Sequence, residues 1–178
     1  MKLAILDRDG VINRDSDSFV KEPDEWIALP GSLEAIARLS RANWHVVIAS
    51  NQSGVARGLF SMATLNAIHA KMRRELAHAG GNIEAIFICP HGPDEGCPCR
   101  KPETGLFQDI ARRYDIDLSG SPAVGDSLRD LQAASAAGCE PWLVLTGKGA
   151  QTEKAGHLPA GTRVRENLAA VVDAWLKD

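Results

Sequence analysis

Short apolar runs alternate with amphipathic stretches along most of the chain. The apolar runs are nearly continuous and are bounded by turn-forming residues, which is typical of strands covered on both faces. They lie at residues 2–6, 45–50, 85–89, 123–125 and 142–146, with a shorter one at 163–165. The stretches with apolar residues at helical spacing lie at residues 33–42, 62–79, 106–114, 128–137 and 168–176. This alternation predicts an α/β fold with one doubly wound, parallel sheet and helices on both sides.

The bulk composition narrows the class of protein. With 178 residues, the chain is long enough for one domain, residues 1–178, and too short for two comfortable ones. Its 44% hydrophobic and 24% charged residues are close to the globular average, which excludes disordered and fibrous classes. The formal net charge of −3 argues against nucleic acid as a partner.

The amino-terminal segment resembles neither a targeting signal nor a membrane span. Residues 1–6 are apolar but run directly into Asp7-Arg8-Asp9, so the run is too short for a signal-peptide core or a spanning helix. We therefore expect a cytoplasmic protein that does not bind a membrane, and we expect it to act as a monomer. In the cytoplasm, cysteines more often bind metals than form disulfides.

Two carboxylates follow the first predicted strand. Asp7 and Asp9 stand two residues apart at the strand end, so their side chains project to the same side. Their mutual repulsion favours a hard divalent cation with oxygen ligands, and Gly10 lets the backbone turn away. One carboxylate can attack phosphorus while the other transfers protons. Taken alone, the pair is also compatible with a solvated acidic turn.

Polar residues follow the next three strands in the same way. Residues 50–53, Ser-Asn-Gln-Ser, end the second strand and suit phosphate oxygens. Arg100 and Lys101 come after the third strand, and Asp126 follows the fourth. Each feature alone could be a polar turn, a solvated charge pair or a helix cap. Because the carboxyl ends of parallel strands meet at one edge of a sheet, we expect all of them to converge on one site.

The irregular stretch at residues 89–101 contains three of the four cysteines. Three thiolates and one imidazole are a standard tetrahedral shell for zinc, and a shell with all four positions filled is structural. The predicted ligands are Cys89, His91, Cys97 and Cys99. The alternative, ordinary cysteines near a loop histidine, is disfavoured because the loop has little apolar material to pack. Cys139 is expected to be a small buried hydrophobe outside the cluster.

In their order along the chain, the strand-end motifs resemble those of the haloacid dehalogenase superfamily of phosphatases. The resemblance covers nearly the whole chain and rests on Asp7-x-Asp9, Ser50, Lys101, and Gly125-Asp126 with Asp130. It implies a Rossmann-like domain of the haloacid dehalogenase type. Many members insert a cap domain, whereas here only residues 14–30 and the cysteine loop could cover the site, which makes the cap minimal.

The resemblance also implies a role for each motif. Asp7 would be the nucleophile and Asp9 the general acid and base. Ser50 and Lys101 would bind the transferring phosphoryl group. Mg²⁺ would be held by the Asp7 carboxylate, the Asp9 backbone carbonyl and Asp126. This division is physically reasonable because phosphoryl transfer depends mainly on positioning and charge stabilisation.

Longer segments narrow the resemblance. The sequence at residues 7–13, 50–58 and 99–102, together with the cysteine loop, is similar to the family of D-glycero-D-manno-heptose 1,7-bisphosphate 7-phosphatases. The likeness implies a phosphorylated sugar substrate from nucleotide-heptose synthesis for lipopolysaccharide. The expected substrate contacts are Asp15, Ser18 and the loop between them, together with Asn51, Gln52, Ser53, Arg57 and Arg100. Arg57 and Arg100 suit the second anion of a bisphosphate.

Two alternatives remain open at this stage. The histidinol-phosphate phosphatases are close relatives that share the cysteine loop. A non-enzymatic binding module whose loop is held together by zinc could also have this fold. A site without catalytic function, however, would not need Asp7, Asp9, Lys101 and Asp126 together.

Overall fold

In a computed structural model, which describes residues 1–177, the predicted strands form one six-stranded sheet. The strands are Leu3–Leu6 (β1), His45–Asn51 (β2), Ala85–Cys89 (β3), Pro122–Gly125 (β4), Glu140–Val144 (β5) and Arg163–Arg165 (β6). Their order across the sheet is β3-β2-β1-β4-β5-β6, and every pairing is parallel. The predicted α/β fold class is therefore confirmed.

Within the described residues, six α-helices connect or flank these strands. They are Ser32–Arg41 (α1), Met62–His78 (α2), Gly105–Tyr114 (α3), Leu128–Ala136 (α4), Gly149–Ala155 (α5) and Leu168–Lys177 (α6). Ser61 caps α2 as its position predicts, because its side chain accepts a hydrogen bond from the backbone of Thr64. No helix within residues 1–177 is both long enough and apolar enough to cross a bilayer.

Two elements differ from the sequence prediction. Helix α5 was not predicted, because only Gly149 of its seven residues is buried and the segment carries no apolar stripe. Strand β5 was predicted at residues 142–146 but lies at Glu140–Val144. Its first residue pairs with Pro122 at the start of β4. The chain then turns into α5, where the Gly149 N–H donates to the Thr146 carbonyl.

The core consists of two apolar layers, one on each face of the sheet. Along β1, Ala4 and Leu6 face one layer while Leu3 and Ile5 face the other, because successive strand side chains point to opposite faces. Helices α1, α2 and α6 contribute to the first layer, and α3 and α4 contribute to the second. This burial on both faces explains the unbroken apolar run that opens the chain.

The order of the strands places a crevice beside β1. From β1 the chain builds outward through β2 and β3, and it then returns to place β4 on the other side of β1. In doubly wound sheets, ligands bind beyond the carboxyl ends of the strands at such a reversal. Asp7 directly follows β1 and Asp126 directly follows β4, so both lie at this crevice.

Candidate active site

Lys101 lies at the centre of the crevice, between two carboxylates. Its Nζ is 3.1 Å from Oδ1 of Asp7 and 2.7 Å from Oδ1 of Asp130, and it donates to the Ala49 carbonyl at 2.7 Å. The side chain is 2% exposed. Burial alone would lower the pKa of Lys101, but Asp130 and then Asp7 raise it above its usual range. The lysine therefore stays charged and is fixed beside Asp7.

The carboxylates of Asp7, Asp126 and Asp130 each bring an oxygen within 4.8 Å of the others. Burial, and then repulsion from Asp130, raises the pKa of Asp7 to about 7, although Lys101 opposes the change. Burial, Asp130 and Asp7 raise the pKa of Asp126 to about 8. Buried carboxylates that repel one another in this way fit a hard divalent cation, whose charge would keep them ionised.

Both oxygens of Asp130 have partners, whereas the side-chain contacts of Asp7 and Asp126 are a pair from Lys101 to Asp7 Oδ1 and a hydrogen bond from the Lys148 N–H to Asp126 Oδ2. Oδ1 of Asp130 pairs with Lys101, and its Oδ2 accepts hydrogen bonds from the backbone of Asp126 and from both the N–H and hydroxyl of Ser127. Oδ2 thereby closes a capping box at the start of α4. Asp7 and Asp126 are thus the side chains of this group with the most freedom to ligate a cation, while Asp130 fixes Lys101 and the start of α4.

Asp9 is held as a carboxylate by three donors. Asn13 donates to Oδ1 at 2.9 Å, Gln52 donates to Oδ2 at 3.0 Å, and Arg8 reaches Oδ1 at 2.8 Å. Burial alone would raise the pKa of Asp9, but the Arg8 guanidinium and these hydrogen bonds hold it below its usual range. The side chain remains 23% exposed, so it can still reach a ligand in the crevice.

The residues that end β2 have partners within the protein. Gln52 donates to Ser50 Oγ at 2.8 Å, and Ser50 is 1% exposed beneath the crevice. The Asn51 amide donates to the Lys101 carbonyl at 3.1 Å and accepts from the Lys101 N–H at 3.0 Å. Asn51 therefore fixes the Lys101 backbone, while Gln52 fixes Asp9. These bonds add positioning roles to two predicted substrate contacts.

A cavity of about 210 Å³ opens above Asp7. Six of the seven predicted substrate contacts line it: Asp15, Asn51, Gln52, Ser53, Arg57 and Arg100. Ser18 is exposed and lies outside the lining, because the loop turns at Ser16, whose hydroxyl accepts from the Ser18 N–H. The lining also includes Ser16 and Asp17, from the predicted loop, and residues that were not among the expected contacts: Phe19, Val20, Ser127, Arg129 and Lys148.

Three guanidinium groups gather at one side of this cavity. Burial, and then repulsion from Arg129, lowers the pKa of Arg100, and Arg57 acts in the same direction. The site's other cation at the mouth, Lys148, lies 3.6 Å from Asp15 and 3.8 Å from Asp17. No carboxylate within residues 1–177 forms a salt bridge with any of the three arginines. They are therefore free to bind an anion.

The predicted cysteine and histidine ligands lie together beside the site. The donor atoms of Cys89, His91, Cys97 and Cys99 lie within 4.8 Å of one another. His91 Nδ1 is 3.5 Å from Cys89 Sγ and 3.3 Å from Cys99 Sγ, and all the cysteines are free thiols. Arg100 Nη1 donates to the His91 carbonyl at 3.3 Å, which links this cluster to the cavity wall. The donor set fits a tetrahedral metal site.

Gly147 gives a direct test of the carboxylate cluster. It has φ +57°, and a Cβ there would overlap the Asp126 carboxylate and lie 2.5 Å from the Gly10 Cα. We expect Gly147→Ala to lower the affinity for Mg²⁺ at least about tenfold, because it displaces a ligand. Calorimetric titration measures this. Gly161→Ala is the matched control, since Gly161 has φ +80° with nothing within 4 Å. Equal affinities in the two variants would contradict the assignment of Asp126.

Comparisons with known proteins agree with this geometry. A HAD-hydrolase-like family model matches residues 98–171. A D-glycero-beta-D-manno-heptose-1,7-bisphosphate 7-phosphatase from Bordetella bronchiseptica is 70% identical over 178 residues, which cover 100% of this chain and 99% of that protein. The enzyme of the same name from Pseudomonas aeruginosa is 54% identical over 98% of each chain.

Solved structures give the same result. The crystal structure of D,D-heptose 1,7-bisphosphate phosphatase from B. bronchiseptica, complexed with magnesium and phosphate, has a TM-score of 0.98 at 70% identity over 99% of each chain. The crystal structure of D,D-heptose 1,7-bisphosphate phosphatase from Burkholderia thailandensis has a TM-score of 0.81 at 53% identity over 100% of each chain.

Proposed function

The chain belongs to the family of D-glycero-beta-D-manno-heptose-1,7-bisphosphate 7-phosphatases, among the HAD-like hydrolases, and we propose that it removes the 7-phosphate of this heptose bisphosphate in nucleotide-heptose synthesis for lipopolysaccharide. The resemblance inferred from the strand-end motifs is thereby confirmed. The alternative of a non-enzymatic binding module is set aside, because the relatives are phosphatases over the full length of this chain.

The observation that carries this proposal is the separation of two anion-binding groups in one cavity. Asp7 and Lys101 at the floor suit the phosphoryl group that reacts, and Arg57, Arg100 and Arg129 at the side suit a second anion. A bisphosphate satisfies both groups. Histidinol phosphate carries one phosphate and a cationic amine, which the three guanidinium groups would repel.

The first half of the proposed reaction transfers the phosphoryl group to Asp7. A carboxylate oxygen of Asp7 forms a bond to phosphorus while the bond from phosphorus to O7 of the sugar breaks. The negative charge of the bound phosphate favours the protonated form of Asp9, which the free site holds as a carboxylate. Asp9 then gives this proton to O7, so the sugar leaves as an alcohol. Lys101, fixed by Asp130 and by the Ala49 carbonyl, stabilises the negative charge of the transferring group.

The second half returns the enzyme to its starting state. The Asp9 carboxylate takes a proton from water, whose oxygen attacks phosphorus as the bond to Asp7 breaks, which releases phosphate. The carboxylates of Asp7 and Asp126 and the Asp9 backbone carbonyl would hold Mg²⁺, which offsets the charge of the phosphoryl oxygens when bound. The magnesium and phosphate in the B. bronchiseptica structure support this choice of cation.

We further propose that the cysteine and histidine cluster binds a structural zinc ion. Its support is the donor set, three thiols and one imidazole with close mutual spacing, which leaves no open coordination position. The cluster precedes Arg100 and Lys101 directly in the chain, so a metal there would fix the segment that presents both cations to the cavity.

The remaining sequence-based predictions belong to the same proposal. Residues 1–178 form one phosphatase domain that acts as a monomer in the cytoplasm. Its partner is a phosphorylated sugar, and it binds neither nucleic acid nor a membrane. The net charge of −3 supports the absence of a nucleic-acid partner.

Competing substrates test the proposed function. We expect kcat/KM for heptose 1,7-bisphosphate to exceed that for histidinol phosphate at least about 100-fold with Mg²⁺ supplied, because only the bisphosphate places an anion beside the arginines. Phosphate release from both anomers of the sugar and from histidinol phosphate measures this. Faster turnover of histidinol phosphate would contradict the proposed substrate, although the proposed mechanism would still hold.

A further inference from the structure

Arg8, between the two catalytic aspartates, is a fully buried cation. Its side chain is 0% exposed, and a buried guanidinium is destabilising unless acceptors surround it. Nε and Nη2 donate to Asp9 at 3.1 and 2.8 Å, and Nη2 also lies 3.4 Å from the Gln52 side-chain oxygen. One edge of the guanidinium group therefore binds the Asp9 carboxylate through hydrogen bonds from Nε and Nη2.

The remaining nitrogen of Arg8, Nη1, has a partner on a different element. Nη1 lies 3.0 Å from Nε2 of His69, which is 61 residues away in the chain and 7% exposed on α2. Arg8 can only donate, so His69 must accept through an unprotonated Nε2. Burial, and then the Arg8 charge, lowers the pKa of His69 to about 3, which keeps this imidazole neutral.

We propose that His69 is a positioning residue for the reaction: by accepting a hydrogen bond from Arg8, it fixes the guanidinium that orients the Asp9 carboxylate toward the leaving oxygen. This inference rests on the proposed function, in which Asp9 protonates O7 as the bond to phosphorus breaks. His69 lies behind Arg8 and does not line the cavity, so it acts through Arg8.

The physical reason is that, among residues 1–177, His69 is the one hydrogen-bond acceptor found at Arg8 Nη1. Without an acceptor at Nη1, a donor in a buried environment loses its partner, and the guanidinium shifts to find another. Asp9 shifts with it, because both ends of the guanidinium edge bind that carboxylate. Misplacing a proton donor by about 1 Å can lower the rate of its step about 100-fold.

A comparison of leaving groups separates this role from a general loss of structure. The sugar leaves as a weakly acidic alcohol and needs a proton from Asp9, whereas p-nitrophenyl phosphate loses a stable phenolate without one. The kinetic constant kcat/KM reports steps up to formation of the phosphoenzyme, so it is insensitive to the later attack by water. A defect in Asp9 position therefore lowers kcat/KM for the sugar and leaves that for the aryl ester nearly unchanged.

The test uses two replacements of His69 in the full chain with Mg²⁺ present. We expect His69→Leu to lower kcat/KM for heptose 1,7-bisphosphate about 10- to 100-fold, and that for p-nitrophenyl phosphate less than about threefold. His69→Gln should restore most of the loss, because its amide oxygen can occupy the position of Nε2. Equal losses for both substrates, or a glutamine variant no better than leucine, would overturn the inference.

Two further variants keep the test decisive. If His69→Leu does not fold, as judged by thermal unfolding, His69→Asn replaces it, since its shorter amide cannot reach Arg8 Nη1. Asp9→Asn is measured in parallel and should show the same dependence on the leaving group, more strongly. If Asp9→Asn lacks that dependence, the proposed role of Asp9 fails. If only the His69 variants lack it, the inference fails alone.

Discussion

Replacing Asp7 with asparagine should lower kcat at least about 10⁴-fold while leaving the fold intact. The neutral amide cannot form the bond to phosphorus that the proposed mechanism requires. The fold should persist because Lys101 keeps its 2.7 Å pair with Asp130, so the change leaves no buried lysine without a partner. It also removes one of three carboxylates that repel one another.

Steady-state phosphate release and thermal unfolding, each measured without and with Mg²⁺, check both parts of this prediction. Asp24→Asn is a suitable control, because it makes the same chemical change at an exposed residue of the short 3₁₀ turn Pro23–Glu25. Turnover of the Asp7 variant within about tenfold of the unaltered chain would mean that another group is the nucleophile.

Loss of the proposed zinc site should have the largest effect on stability. We expect Cys97→Ser to reduce bound zinc from one ion per chain to well below one. Structural zinc contributes roughly 10–16 kcal/mol in isolated peptides. The effect here is smaller because the two core layers persist without the loop. A loss of about 3 kcal/mol would lower Tm by roughly 6–12 °C in a chain of this size.

The same variant should lose activity, because the loop leads directly into Arg100 and Lys101 and the Arg100 side chain binds the His91 carbonyl. Metal analysis and thermal unfolding measure the site, and phosphate release measures the consequence. Cys139→Ser is the matched control, since Cys139 is buried outside the cluster. A Cys97 variant with one zinc per chain and an unchanged Tm would contradict the assignment.

The sheet could be predicted because its strands are short, apolar and buried on both faces. In β1 all four residues are buried, so the run in the sequence ends where the strand ends and Asp7 begins the site. Helix α5 could not be predicted, because its stability does not come from an apolar stripe. It is fixed instead by its position after β5, where Thr152 donates to the Asp126 carbonyl.

The principal site residues could be predicted because parallel strands bring their carboxyl ends to one edge. The position of a residue at a strand end determines which residues it meets, but it does not determine how their side chains pair. Asn51 was expected to contact substrate, yet both atoms of its amide bind the Lys101 backbone. The contact between Arg8 and His69 joins a strand end to a helix face 61 residues away, and no local spacing in the sequence indicates it.

The cavity mouth was the least predictable part of the site. Of the loop Asp15–Ser18 that was expected there, the first three residues line the cavity and Ser18 does not, while Phe19 lines it without having been expected. The Arg57 guanidinium lies 5.6 Å from the centroid of the Phe19 ring, and Phe19 has a positive φ of 66°. Loop conformations of this kind are decided by tertiary contacts, so the sequence pattern indicates only that a loop is present.

The most direct test of the proposed function is to follow heptose 1,7-bisphosphate by ³¹P NMR in the presence of the enzyme and Mg²⁺. We expect the signal of the C7 phosphate to be replaced by that of inorganic phosphate while the C1 phosphate signal persists, because the arginines hold that group away from Asp7. Omitting Mg²⁺ should abolish the change. Loss of the C1 phosphate first, or loss of both at equal rates, would contradict the proposed placement of the substrate.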